Sequence, residues 1–116
     1  MKNITFEKYQ GNGNDFVVID SRGNDLFKNY KKNKIFDIKK ICNRQFGIGA
    51  DGVIFIEEPN EDNYAKMIIF NSDGSEAQMC GNGIRCLVEY LHVNDSMNNK
   101  NIEYKIETKA GLKIAK

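Results

Sequence analysis

The chain has 116 residues, 41% of them hydrophobic, and a formal net charge of +1. That length suits one domain, residues 1–116, with a modest core. The near-neutral charge supplies no field to draw nucleic acid or an anionic membrane. Three cysteines without a CxxC pair, no apolar h-region after Met1, and no apolar run long enough to span a bilayer point to a reducing, cytoplasmic setting.

Residues 3–9 and 15–20 read as two strands separated by the turn Gln10-Gly11-Asn12-Gly13-Asn14. The basic run from Lys28 to Lys40 is interrupted by Ile35, Phe36, Asp37 and Ile38, and reads as the solvated side of a helix. Ile35, Ile38, Ile41 and Cys42 form one stripe of a helix over 35–45, with Cys42 on its apolar side. Glycines 47, 49 and 52 then break the pattern and lead to a strand near 53–57, and residues 64–70 form another apolar strand. Asn71-Ser72-Asp73-Gly74-Ser75 is a strong turn signal. A helix follows over about 81–93, with Ile84, Leu87, Val88 and Leu91 on one face. After a polar loop over 95–101, Ile102, Tyr104 and Ile106 alternate with charged residues in a strand over 102–108. A last strand starts at Leu112 and meets the end of the sequence without a terminating signal, which reads as a cut inside a larger protein.

The run Met79-Cys80-Gly81-Asn82-Gly83-Ile84-Arg85-Cys86 carries the most chemistry. Cys80 stands at or just before the N-terminus of the 81–93 helix, where unpaired N–H groups and the helix dipole favour negative charge. A thiol there loses its proton more easily, and the same N–H groups form a cradle for a carboxylate. Gly81 and Gly83 let a ligand approach the backbone. The alternative is a buried cysteine beside a flexible helix start, and local features alone do not choose between the two. Neither phosphate-binding glycine motif is present, which argues against a nucleotide site.

The other candidates are weaker. Cys86 lies six residues beyond Cys80, about 9 Å along the helix and turned by roughly 120°, so it cannot face Cys80 across a substrate and reads as core. His92, twelve residues on, is about 18 Å away along the same helix. Asp51 and Asp73 sit in glycine-rich turns, where a local turn-forming role outweighs a catalytic one.

Four blocks then occur in order: Gly11-Asn12-Gly13-Asn14-Asp15-Phe16, Gly47-Ile48-Gly49-Ala50-Asp51-Gly52, Phe70-Asn71-Ser72-Asp73-Gly74-Ser75-Glu76 and Met79 to Cys86. Together they resemble the N-terminal half of the diaminopimelate epimerases, and the resemblance covers essentially the whole chain. It implies an α+β fold, a mixed and mainly antiparallel sheet curled around a central helix. It also implies inversion of an amino-acid α-carbon with neither metal nor any other cofactor, by two cysteines that face each other across the substrate. Cys80 matches the first catalytic cysteine. Gly81 and Asn82 match positions whose backbone holds the substrate carboxylate. Asn14 and Asn71 match asparagines that bind the substrate's distal amino-acid group, although from the residues alone both read as turn formers. Gly52 falls where some members carry a substrate-binding Gln, and it offers no side chain there. The second cysteine belongs to a C-terminal half. The expected activity is interconversion of LL- and meso-2,6-diaminopimelate, serving lysine and peptidoglycan synthesis. Two alternatives stand beside it: a non-catalytic module that self-associates as a homodimer, and a racemase or epimerase of the same fold acting on another amino acid.

Overall fold

The computed structural model describes residues 6–11, 13–33, 37–78, 81–95 and 103–115. Cys80, Met79, Ile35 and Ile102 lie outside the described residues. Among the described residues, ten elements follow one another: β1 (Glu7–Gly11), β2 (Asn14–Asp20), α1 (Leu26–Asn33), α2 (Ile38–Cys42), β3 (Gly52–Glu57), β4 (Ala65–Asn71), β5 (Glu76–Ala77), α3 (Gly81–Asn94), β6 (Tyr104–Thr108) and β7 (Gly111–Ala115).

The strands form one seven-stranded mixed sheet in the order β1-β2-β3-β4-β6-β7, with β5 also paired to β4. The pairs β1–β2, β3–β4, β4–β5 and β6–β7 are antiparallel, whereas β2–β3 and β4–β6 are parallel. The mainly antiparallel α+β architecture expected from the sequence is therefore present. Each parallel pair needs a crossover. The first crossover carries α1 and α2, and the second carries β5 and α3. One edge of β4 is shared: β5 takes Ile69 and Phe70, while β6 takes Ala65 and Lys66.

The two crossovers cover opposite faces of the sheet. Phe16, Val18, Ile54, Ile56, Met67, Ile69, Tyr104 and Ile106 pack with Cys86, Leu87 and Leu91 of α3. Val17, Ile19, Val53, Phe55 and Phe70 pack with Tyr30 of α1 and with Ile38 and Cys42 of α2. A strand covered on both sides needs apolar residues at every position, not alternate ones. Val53, Ile54, Phe55 and Ile56 are accordingly all fully buried.

Several boundaries differ from the sequence reading, and Gln10 and Gly11, expected in the first turn, belong to β1. The helix expected over 35–45 is shorter, because Asp37 caps α2 by accepting from the Lys39 and Lys40 N–H groups and Asn43 closes it. The basic run covers two helices, not one. In α1, Leu26, Phe27 and Tyr30 turn inward while Lys28, Lys31 and Lys32 stay in solvent. The short strand β5 carries no apolar alternation and had no sequence signal. Leu112 and Ile114 of β7 are 50% and 59% exposed; they pair with Glu107 and Lys105, on the sheet face opposite the α3 layer that buries Tyr104 and Ile106.

The direction of α3 is set at both ends. Arg22, just after β2, forks onto Asp20 at 2.8 and 3.0 Å and onto Asp95 at 2.7 and 3.0 Å. The Tyr90 hydroxyl donates to Asp20 and the Tyr64 hydroxyl to Asp95, each at 3.0 Å. This network ties the C-terminal end of α3 to the C-terminal end of β2. From Asn82 to Asp95 a helix rises about 20 Å, and from Asn14 to Asp20 a strand spans about 20 Å. The two elements therefore run side by side, and the N-terminus of α3 arrives where β2 begins. No helix among the described residues is long and apolar enough to cross a membrane.

Candidate active site

One end of the sheet gathers the residues singled out in the sequence. Asn14 opens β2, Gly52 opens β3 beside it, and Asn71 closes β4 directly opposite Gly52. Gly81 and Asn82 form the first turn of α3, whose leading N–H groups lack intrahelical acceptors. Asn82 donates its side-chain Nδ2 to Asn14 Oδ1 at 2.5 Å, across 68 positions of sequence. Gly13 takes the left-handed turn conformation of the β1–β2 hairpin (φ 89°), so Asn14 is a strand residue and not the turn itself.

Asn71 is engaged differently. Its N–H donates to the Ser75 carbonyl at 2.7 Å, its carbonyl accepts from Gly74 at 2.9 Å, and its Nδ2 donates to Ser75 Oγ at 3.1 Å. The turn-forming reading of Asn71 thus holds in this structure, and its exposed side chain is bonded within its own turn. Asp73 is local too, accepting from the Ser75 N–H and hydroxyl at 2.8 and 2.6 Å.

Gly52 is buried, and a Cβ there would lie 2.5 Å from the Phe70 carbonyl oxygen and 3.0 Å from the Phe16 ring. It contributes backbone to the site end and leaves no room for a side chain in this packing. Gly81 is the opposite case: it is exposed, and a Cβ meets nothing within 4 Å among the described residues.

A charged bracket that sequence reasoning missed holds this end together. The Arg44 guanidinium forks onto Asp15 at 2.8 and 3.1 Å and reaches Asp51 at 3.1 Å. Lys8 adds an ion pair to Asp15 at 3.1 Å. The guanidinium of Arg44 holds the Asp15 carboxyl well below the usual carboxylate range, against a smaller opposing effect of burial and with help from Lys8. Asp51 is therefore more than a turn residue. Its Oδ2 accepts from the Asp15 N–H at 2.9 Å and from Asn14 Nδ2 at 3.3 Å, and its own N–H donates back to the Asp15 carbonyl at 2.8 Å. The only sequence signal was an aspartate one residue before or after the start of each strand, too common a pattern to act on.

The remaining cysteines fall where the sequence put them. Cys86 is fully buried in the α3 layer, and Cys42 is buried against β3, where burial pushes its thiol pKa up. His92 is exposed on the far half of α3.

Solved structures share this fold. A Bacillus anthracis phenazine biosynthesis protein of the PhzF family superposes with a TM-score of 0.66 at 22% identity, covering 98% of this chain and 36% of that one. A phenazine biosynthesis PhzC/PhzF protein from Clostridium difficile gives 0.60 at 16% identity, covering 95% and 39%. Sequence relatives are much nearer. A diaminopimelate epimerase from Prochlorococcus marinus strain NATL1A is 55% identical over 112 residues, 97% of this chain and 39% of the relative. One from Methanocella arvoryzae is 51% identical over 112 residues, again 97% of this chain and 38% of the relative. The chain thus spans about two fifths of the length of these curated relatives. The family model described as diaminopimelate epimerase matches residues 6–115, and the chain belongs to the diaminopimelate epimerase family.

Proposed function

We propose that this chain is the N-terminal domain, residues 1–116, of an isomerase that converts LL-2,6-diaminopimelate to the meso form without a cofactor. Cys80 is the acid–base group for one face of the α-carbon. The observation that supports this most is the meeting of Asn14 and Asn82 at the first turn of α3, directly after Cys80 in the chain. Two of the residues matched to substrate binding thereby meet at the helix start that follows Cys80 in the sequence.

In the forward direction the Cys80 thiolate removes the α-proton, or its thiol returns one, while a second cysteine does the converse on the opposite face. Both sulfurs end with their protonation states exchanged, so the enzyme must re-equilibrate its protons before the next identical turnover. An amino-acid α-carbon is a very weak acid, so the planar anion needs electrostatic support at the carboxylate. The N–H groups of Gly81 and Asn82 supply it, and the same helix end favours the Cys80 thiolate. Asn14 and Asn71 bind the distal amino-acid group, Asn71 after exchanging its bond to Ser75. Gly52 lines the same end with backbone alone.

The second cysteine comes from a C-terminal half that packs on this domain, and the setting is the cytoplasm. The exposed Leu112 and Ile114 on the outermost strand favour association of this chain with that half or with a second copy. In the full-length protein, Cys80→Ala abolishes inversion, and Cys80→Ser cripples it because a hydroxyl is a far poorer base than a thiolate. Normal turnover of diaminopimelate by the Cys80→Ala protein would refute the assignment. Inversion of a different amino acid by the wild type, with diaminopimelate untouched, would move the chain to another substrate of the same chemistry.

A further inference from the structure

A side-chain amide has a donor end and an acceptor end, so two asparagines joined by a hydrogen bond must agree on which way each is turned. Nothing in the Asn14–Asn82 pair alone makes that choice. Asp51 makes it, because a carboxylate only accepts. Asn14 Nδ2 faces Asp51 Oδ2 at 3.3 Å, which leaves Asn14 Oδ1 for Asn82, and Asn82 must then present its Nδ2, as it does at 2.5 Å. Turning both amides over would set Asn14 Oδ1 against the Asp51 carboxylate, acceptor to acceptor.

We propose that Asp51 is a positioning residue that fixes the polarity of the Asn14–Asn82 pair and so decides which end of the Asn82 amide, Oδ1, is left for a ligand; its importance to catalysis rests on the proposed reading of this end as the substrate site. Asp51 is well held for that task. Arg44 reaches its Oδ1 at 3.1 Å and the Asp15 N–H its Oδ2 at 2.9 Å. Its backbone is bonded to the Asp15 carbonyl at 2.8 Å, and Asp15 is itself gripped by Arg44 and Lys8. Two neighbouring parallel strands thus fix the carboxylate, the carboxylate fixes Asn14, and Asn14 fixes the first turn of α3.

The test is NMR on the isotope-labelled chain. In the wild type, a through-hydrogen-bond coupling runs from Asn82 Nδ2 to the Asn14 side-chain carbonyl carbon, and a coupling in the reverse direction would overturn the proposal. Asp51→Ala removes the constraint, and the Asn82 side-chain protons exchange with water roughly fivefold faster. Asp51→Asn is a second, isosteric variant. Its amide can accept from Asn14 only by turning Nδ2 towards Arg44, donor to donor, so Asn82 exchange rises there too. Exchange within about twofold of wild type in a folded variant would overturn the proposal, and if Asp51→Ala does not fold then Asp51→Asn decides. These readouts need no turnover. A full-length protein that fails to epimerise would sink the functional reading and leave this one to be judged by NMR.

Discussion

Gly52→Ala is the substitution whose cost the packing defines most sharply. The added Cβ would sit 2.5 Å from the Phe70 carbonyl oxygen and 3.0 and 3.2 Å from two carbons of the Phe16 ring. Cβ atoms essentially never come closer than 3.0 Å to a non-bonded heavy atom, so β3 and β4 must part by about half an ångström. Neither neighbour yields easily. The carbonyl is backbone of the β3–β4 ladder, where Phe70 pairs with Val53 next to the Gly52–Asn71 end pair, and Phe16 is locked in the α3-side core. Overpacking of this kind costs about 1–3 kcal/mol. Replacing glycine also restricts the unfolded chain, which returns about 0.4–1 kcal/mol. The net expectation is a loss of about 1–2 kcal/mol, equivalent at this chain length to a Tm drop of about 4 °C for each kcal/mol. Urea unfolding of the chain measures it, with the midpoint lowered and the slope unchanged. Gly81→Ala is the internal control. It meets no neighbour among the described residues and sits in a helix, so it should be neutral or stabilising by up to about 1 kcal/mol. A Gly52→Ala protein within about 0.5 kcal/mol of wild type would refute the reasoning.

Leu91→Ala, at a fully buried position between α3 and the sheet, should cost about 2–5 kcal/mol in the same unfolding assay, since the rigid strands beneath cannot collapse into the void. The Asp20 carboxyl is opposed by burial, yet the hydrogen bonds from Arg22 outweigh that and lower its pKa. Its contribution to stability is therefore complete above the unfolded value near 4, and is lost as pH falls through the folded value. Acid titration of the unfolding free energy should show this loss, and an Arg22→Met protein should be less stable at neutral pH with a shallower acid slope. Alkylation at neutral pH, mapped by mass spectrometry, should label Cys80 before Cys42 or Cys86. Cys42 and Cys86 are buried, and burial also raises the Cys42 pKa; earlier labelling of Cys42 would overturn the order.

The elements that the sequence revealed are those with one strong period. Ile84, Leu87, Val88 and Leu91 marked α3 to within a residue, and the apolar runs at 53–57 and 64–70 marked β3 and β4. Where two signals overlapped, the reading blurred. Lysines spread from 28 to 40 hid the break between α1 and α2, which depends on the Asp37 cap. The two-residue β5 exists only because the 71–75 turn folds it back on β4. At the site, Asn14, Gly52, Asn71, Gly81 and Asn82 were legible as family positions, but their partners were not. Arg44 reaches Asp15 across 29 residues and Asn82 reaches Asn14 across 68, and no local pattern encodes pairings of that range. Gly52 shows the converse limit. Its lack of a side chain reads as a missing contact in the sequence and as a packing requirement in the fold.

On the proposed function, this chain supplies the acid–base group for one face of the α-carbon and no more. Among the described residues, Cys86 is buried in the core and His92 lies on the far half of α3, so neither serves the second face. Proton NMR of LL-diaminopimelate in deuterated water, with purified residues 1–116 and separately with the full-length protein, reads both α-proton exchange and the LL-to-meso ratio. Inversion with solvent deuterium incorporation is expected from the full-length protein, and none detectable from residues 1–116 alone. Appreciable inversion by residues 1–116, freed of host enzyme, would contradict it.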